Sequence, residues 1–231
     1  MTPAVLRLWL VNAAGNALLL VLMYWWLAIP ERRAWQLAAS ALLGLFIVLA
    51  TMWLHTATFR LFRITTVNLA QAVPAVLTCV LIGLVLLLVL AWVAMWFPRW
   101  SVWIASTLSY RLQRPVRPDT VRPTLEWISW ALAWIAIPVF LLPRIGAASA
   151  SGFRGLIKAP VARRFYLDYL AALLIGAYLP WKFVNWVPGF EGFTAQAISF
   201  TLRFGIAWAL TITAWLWIAR STAPAKPGFR R

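Results

Sequence analysis

Few side chains in this 231-residue sequence could carry out acid–base or metal chemistry. The chain has one histidine, His55, one cysteine, Cys79, and five acidic residues. A metal site that needs several histidines or cysteines is therefore excluded. The sequence also has no glycine-rich phosphate loop and no serine nucleophile elbow. We accordingly expect neither a metal nor another cofactor.

The first candidate cluster combines polar residues from three apolar stretches. Asn12 and Asn16 lie one turn apart in the first stretch, His55 follows the second, and Asp168 opens the fifth. With a rise of about 1.5 Å per helical residue, all four fall at a similar depth. Polar groups inside spans are candidates for a proton relay or a solute site. The alternative is structural, with asparagines bonding between helices and Asp168 paired to Arg164.

The second candidate cluster, Lys182, Glu191 and Arg203, lies toward the other side of the predicted membrane. Arg203 is about 10 Å inside the sixth apolar stretch by helical rise. An arginine at that depth either needs a partner, for which Glu191 is the nearest acid in sequence, or extends its side chain to the interface.

The composition behind these clusters is that of a membrane protein. Hydrophobic residues make up 64% of the chain, charged residues only 11%, and the mean hydropathy is +0.83. Soluble domains are about 45–50% apolar and about a quarter charged. A soluble fold of this length would therefore have too few polar side chains to cover its surface.

Apolar stretches long enough to cross a bilayer, which takes roughly 20 residues, determine the predicted fold. They predict an all-α, polytopic integral membrane helical bundle of about six transmembrane helices. We expect a single transmembrane domain over residues 1–219 and a disordered basic tail over 220–231. The stretches are Leu8–Ile29, Ala34–Leu54, Val73–Phe97, Leu125–Leu142, Phe165–Pro180 and Ala195–Ala219.

The net charge of +16 comes mainly from arginines in the short connections. This placement indicates contact with anionic lipid head groups rather than with nucleic acid, and it favours a bacterial inner membrane with both termini in the cytoplasm. The segment Pro98–Pro123 conflicts with that orientation, because its five arginines should also prefer the cytoplasm. Five spans plus one re-entrant or interfacial segment around Pro138 would remove the conflict, whereas hydropathy favours six.

The connections also carry local structure signals. Residues Trp100–Leu112 and Gly155–Tyr166 mix aromatic and basic side chains, as interfacial helices do, although polar loops fit them equally well. Proline restricts the residue before it, so Arg114–Pro118 and Arg122–Pro123 are predicted to be extended or turned.

These observations favour a non-enzymatic function. The expected protein is a small transporter-like subunit, or an accessory or assembly subunit, with an arginine-rich surface against anionic lipid, a partner membrane protein or a second copy. The alternative is a membrane-embedded enzyme that acts on a lipid or isoprenoid substrate through Asp168 and His55.

Overall fold

The computed structural model describes residues 3–30, 32–157, 163–189 and 192–223. Within these ranges all regular secondary structure is helical, which confirms the all-α prediction. Six helical segments are long and apolar enough to cross a membrane, as the hydropathy predicted. The chain is therefore an integral membrane protein with a six-span architecture.

The spans are α1, α2, α3, the α5–α6 pair, the α8–α9 pair and α10. One π turn within each pair makes that pair a continuous helix. The elements are α1 (Pro3–Ala28), α2 (Ala34–Arg60), α3 (Leu69–Ala94), α4 (Phe97–Leu112), α5 (Pro118–Ala131), a π turn (Leu132–Ala136), α6 (Ile137–Ser151), α7 (Phe153–Ile157), α8 (Arg163–Leu173), a π turn (Leu174–Tyr178), α9 (Leu179–Asn185) and α10 (Phe193–Ser221).

The fourth span runs through Pro138 without a break, as a helix of 34 residues over Pro118–Ser151. The N–H of Ile137 donates to the Leu132 carbonyl, five residues back, so the helix widens just before the proline. Pro138 has no N–H, so the Trp134 carbonyl lacks its usual donor four residues on. The Tyr169 hydroxyl, from α8, donates to this carbonyl instead. The continuous helix excludes a re-entrant fourth span.

The fifth span has the same arrangement around a proline, Pro180. The N–H of Leu179 donates to the Leu174 carbonyl across the second π turn, and Pro180 follows. Pro180 leaves the Gly176 carbonyl without its helical donor. The hydroxyl of Thr211, in α10, lies 3.0 Å from that carbonyl. In both spans, a hydroxyl from a neighbouring helix lies within hydrogen-bond distance of the carbonyl that a proline leaves without a donor, and the Thr211 hydroxyl is also 3.0 Å from the Ala207 carbonyl of its own helix.

We expect Tyr169→Phe to lower the free energy of unfolding by about 1 kcal/mol, because the Trp134 carbonyl then has no donor. Pro138→Ala restores a backbone N–H, so the same substitution should cost much less in that background. Reversible unfolding of the four proteins of this cycle in mixed micelles measures both effects. Equal costs in the two backgrounds would contradict the pairing of proline and hydroxyl.

The connections partly follow the sequence prediction. Helix α4 spans the first predicted interfacial segment, and Arg117 is extended before α5, as expected. The prediction for Arg122–Pro123 is wrong, because both residues lie inside α5. Pro123 is exposed there, so water can reach the Asp119 carbonyl that loses its donor. In the second segment, α7 ends at Ile157, and residues 158–162 lie outside the described ranges.

One end of the bundle, which we call the basal end, brings together the C-terminal ends of α2, α6 and α10 and the loop 61–68. The Thr66 N–H donates to the Ala150 carbonyl at 2.9 Å, and Arg63 donates to the Thr222 carbonyl. Helix α10 continues to Ser221, so the predicted tail is helical at its first residues, and residues 224–231 lie outside the description.

The core lies toward this basal end. A cluster around the fully buried Phe59 unites α2, α6, α8 and α10 through Leu142, Phe165, Tyr169 and Ala219. Far from the basal end, α3 is not packed into a core, since every residue over 84–89 is at least 39% exposed. The helices therefore pack most tightly where the polar residues are concentrated.

Candidate functional site at the basal end

Arg60 organises the loop between α2 and α3. Its guanidinium donates to the carbonyls of Val67 at 2.7 Å, Ser149 at 2.9 Å and Asn68 at 3.3 Å. Ser149 is fully buried in α6, so one side chain joins the loop to two spans. Because arginine presents five N–H donors in a fixed plane, it can bond several carbonyls at once.

Arg63 joins the same loop to the end of α10 through the Thr222 carbonyl. Burial lowers the pKa of Arg63 to about 10, which still leaves it charged at neutral pH. Its Nε is buried and has no hydrogen-bond partner among the described residues. Gly146 provides the space for this side chain, since a Cβ there would lie 2.6 Å from Arg63 Nη2.

Asn12 joins two helices in the structure, whereas the Asn16 side chain bonds within its own helix. Asn12 is fully buried, and its Oδ1 accepts a 3.0 Å hydrogen bond from the Thr58 hydroxyl of α2. The Asn12 side chain donates to the Leu8 carbonyl, and that of Asn16 donates to the Asn12 carbonyl. Asn12 thus joins α1 to α2 as interhelical amides do in membranes.

His55 and Asp168 both face α10 but contact different residues of it. The His55 ring lies 4.9 Å from the Trp215 ring, edge to face, and its Nδ1 is buried without a partner in the described ranges. Asp168 Oδ2 accepts a 2.9 Å hydrogen bond from the Ser221 hydroxyl, and Oδ1 lies 3.7 Å from Arg164 Nε. No hydrogen bond between Asp168 and His55 occurs among the described side chains.

A cleft of about 380 Å³, lined by both polar and apolar residues, opens between the loop 61–68 and the start of α7. The Gln71 Oε1 accepts from the Asn68 N–H, so its Nε2 is left as a donor. Arg154 contributes an exposed positive charge. Such a donor set suits a phosphate or another anion. The lining residues are Thr66, Val67, Gln71, Ser151, Gly152, Phe153 and Arg154.

The second predicted cluster lies at the opposite end, and the structure gives Arg203 backbone partners. Its Nη1 lies 3.4 Å from the Phe183 carbonyl and 3.3 Å from that of Val184, and it also donates to the Trp186 carbonyl. Arg203 therefore caps the C-terminus of α9, where cations complement the helix dipole. Lys182 instead lies over the Trp181 ring at 5.0 Å. Glu191 lies outside the described residues.

Sequence reasoning missed several residues that build the basal end. In the sequence, Arg60 and Arg63 are simply basic residues after the second apolar stretch, and nothing marks Thr58 as a partner of Asn12. A proline inside a span does signal an unpaired carbonyl four residues earlier. That signal could have prompted a search for hydroxyl donors, although it does not identify Tyr169 or Thr211.

Comparisons with known proteins do not suggest a function for these residues. No family model matches the chain, and no curated protein or solved structure matches it significantly. The function must therefore be inferred from the residues themselves.

Proposed function

We propose that the chain is a non-enzymatic accessory or assembly subunit of a bacterial inner membrane, whose exposed arginines bind anionic lipid head groups. The observation that carries this proposal is that the described arginines form two groups. The arginines of one group bond to other parts of the chain, and those of the other group are exposed at the ends of the spans and in the connections.

The arginines of the first group donate to backbone carbonyls of the chain, and all of them except Arg144, which bonds within α6, join a loop or a helix end. They are Arg60, Arg63, Arg144 and Arg203. Two more arginines, Arg122 and Arg164, form the ion pairs of the described chain with Glu126 and Asp168.

The arginines of the second group are exposed and form no ion pair within the described ranges. Each can gain about 1 kcal/mol beside an anionic membrane surface. This group supports a function in which the membrane surface or a partner, rather than the chain itself, neutralises the charge. Its members are Arg7, Arg32, Arg33, Arg99, Arg111, Arg114, Arg117, Arg154 and Arg220.

The basal end supplies a site for a head group beside the loop 61–68. Arg60 holds the loop 61–68 against Ser149 before any ligand binds, so little ordering is needed on binding. The cleft beside this loop combines the charge of Arg154 with the amide donor of Gln71. In contrast, Asp168 and His55 contact separate residues of α10, which gives the enzyme hypothesis no paired acid and base.

Arg154→Gln should weaken retention of an anionic phospholipid by about fivefold, the equivalent of about 1 kcal/mol for one interfacial cation. Native mass spectrometry of the purified protein, titrated with phosphatidylglycerol, measures this retention. Arg7→Gln is the matched control, because Arg7 is also exposed but does not line the cleft. Equal retention of phosphatidylglycerol by the two variants would contradict the proposed head-group site.

The subunit role is tested by the mass of the protein extracted from its native membrane in mild detergent. We expect a stoichiometric complex larger than the 26.1 kDa of the single chain. A lone chain that supports solute flux in proteoliposomes would instead make it a transporter.

A further inference from the structure

A row of three side chains on α5 separates two clefts at the end of the bundle opposite the basal end. Arg122, Glu126 and Trp130 are spaced four residues apart, so they lie along one face of the helix. A cleft of about 510 Å³ opens on one side of this row, and a cleft of about 270 Å³ opens on the other. Glu126 and Trp130 line both. We call the row and its two clefts the α5 site.

The larger cleft lies between α5 and the junction of α3 with α4. Met95 and the buried Phe97 form part of an apolar wall. Facing this wall are the charged side chains of Arg122 and Glu126 and the hydroxyl of Ser129. The volume falls within the range of about 300–1,000 Å³ that is typical of small-ligand sites. The cleft therefore suits a ligand that is charged on one side and apolar on the other.

The α5 site lies where two apolar stretches of the sequence end. The stretch Val73–Phe97 finishes at a residue of the larger cleft, and Leu125–Leu142 begins one residue before Glu126. Arg122 precedes the second stretch. A change from charged to apolar residues, with tryptophans beside it, is typical of the region where lipid head groups meet acyl chains.

The ion pair between Arg122 and Glu126 leaves both partners with unused capacity. Arg122 Nε donates to Glu126 Oε1 at 2.8 Å. This contact uses one of the five guanidinium N–H donors and one of the two carboxylate oxygens. The two side chains are 56% and 54% exposed, so a ligand can reach them together. A cation and an anion side by side complement a ligand that carries both charges.

The smaller cleft adds two indole rings. The ring centres of Trp127 and Trp130 lie 5.7 Å apart with an angle of 72° between their planes, so the rings form a corner. The Glu126 carboxylate belongs to the same cleft. The face of an indole ring attracts an ammonium group within about 6 Å of its centre. The corner and the carboxylate therefore favour an ammonium group.

The connection between α4 and α5 is ordered without a ligand. The Val116 N–H donates to the Ser109 hydroxyl at 2.8 Å, and the Thr120 hydroxyl donates to the Arg117 carbonyl at 2.7 Å. These bonds fix the start of α5 relative to α4. Binding at the α5 site consequently needs little ordering of the chain.

We propose that the α5 site binds the head group of a zwitterionic phospholipid, which joins a phosphate to an ammonium group as phosphatidylethanolamine does. The phosphate accepts hydrogen bonds from the free N–H groups of Arg122. The ammonium group lies between the Glu126 carboxylate and the two indole rings. Charge complementarity selects this occupant, because an anionic lipid would place a like charge beside Glu126 and leave the indole corner unused.

This site goes beyond the proposed function, which concerns anionic lipids at the exposed arginines. Its cationic partner is an arginine that already has an ion pair, and its ligand differs by the ammonium group. Arg154 and the α5 site also lie at opposite ends of the bundle. Failure of phosphatidylglycerol retention at Arg154 would therefore leave the α5 site standing, and the reverse also holds.

Photocrosslinking tests the α5 site directly. The probe is phosphatidylethanolamine with a photoreactive group at the start of one acyl chain, added to the full chain in uncharged detergent micelles. The readout is the crosslink yield within residues 94–133, which include both clefts. Unlabelled phosphatidylethanolamine should compete for this segment at least about fivefold better than phosphatidylglycerol with the same acyl chains, which lacks the ammonium group.

Two substitutions, each with a matched control, locate the ammonium group. Glu126→Gln should abolish the preference for phosphatidylethanolamine, whereas Asp119→Asn, at an exposed acid of α5 that lines neither cleft, should retain it. Trp127→Leu should weaken competition by phosphatidylethanolamine about threefold. Its control is Trp103→Leu, because Trp103 is 68% exposed against 67% for Trp127 and lines neither cleft.

Three results would overturn the proposal. The first is equal competition by the two lipids on the wild-type protein, which also decides the question if Glu126→Gln does not fold. The second is a preference that Glu126→Gln and Asp119→Asn change to the same extent. The third is competition by soluble phosphoethanolamine as strong as that by the lipid, since the site would then belong to a soluble zwitterion.

Discussion

Arg60→Met should lower the free energy of unfolding by about 3 kcal/mol. The substitution removes the donor of three carbonyls, those of Val67, Asn68 and Ser149. Each buried acceptor left unpaired costs about 1–3 kcal/mol, and Ser149 is fully buried. Since the loop 61–68 also loses its attachment to α6, we expect the cleft beside it to lose its shape.

Unfolding in mixed micelles of detergent and SDS measures the loss of stability. Arg220→Met is the matched control, because Arg220 is exposed at the same end of the bundle. Arg60→Lys should restore only part of the loss, since lysine is a point charge without the planar set of donors. Equal stability of the Arg60 and Arg220 variants would show that the three carbonyls do not depend on Arg60.

Gly155→Ala should destabilise the protein by about 3 kcal/mol, at the upper end of the range for overpacking. A Cβ on Gly155 would lie 2.3 Å from the carbonyl carbon and oxygen of Ala147 and 2.6 Å from the N of Ala148. These are backbone atoms of α6 and cannot rotate aside. Helix α7 must therefore move away from α6, and with it the side of the cleft that carries Arg154.

Gly205→Ala is the control for the glycine series. A Cβ on Gly205 meets nothing within 4 Å, and the residue lies inside α10. Alanine is favoured over glycine in a helix by about 1 kcal/mol, so this variant should be as stable as the wild type or slightly more stable. A similar loss of stability in both variants would mean that close packing of α7 is not the cause.

Much of the fold could be predicted because span location is a local property. The six apolar stretches all correspond to spans, since roughly 20 apolar residues in a row have few other stable environments. The ends were predicted less well, and α2 continues past Leu54 to Arg60. Those last turns contain Thr58, Phe59 and Arg60, whose helical structure depends on contacts with α1, α6 and the following loop.

The prolines show how neighbouring helices change a local prediction. Pro138 is a potential break when only its own stretch is considered. The helix continues because a π turn precedes it and Tyr169 donates to the Trp134 carbonyl. Tyr169 is 35 residues away from Trp134, so the pattern around Pro138 cannot reveal it.

For the candidate clusters, depth along a span can be read from the sequence, whereas depth alone does not identify which side chains are in contact. Depth follows from counting residues along each span, so Asn12, His55 and Asp168 could be assigned to one end. Contacts depend on how each helix is rotated and on which helix lies beside it. His55 and Asp168 accordingly contact separate residues of α10 rather than each other. The Asn12–Thr58 hydrogen bond and the Arg164–Asp168 pair are contacts of the kind that the structural alternative describes.

The sequence by itself determined that this protein lives in a membrane and where its long apolar stretches lie, and hydropathy favoured six spans over five. Hydrophobic length and charge are sums over neighbouring residues, so no tertiary contact is needed to evaluate them. Only the tertiary structure decided what each arginine does. Arg60 joins a loop to a buried carbonyl, Arg203 caps α9, and Arg144 stacks on the ring of Phe140. The residue type is the same in all three cases. The contacts differ because different carbonyls and rings lie beside each arginine.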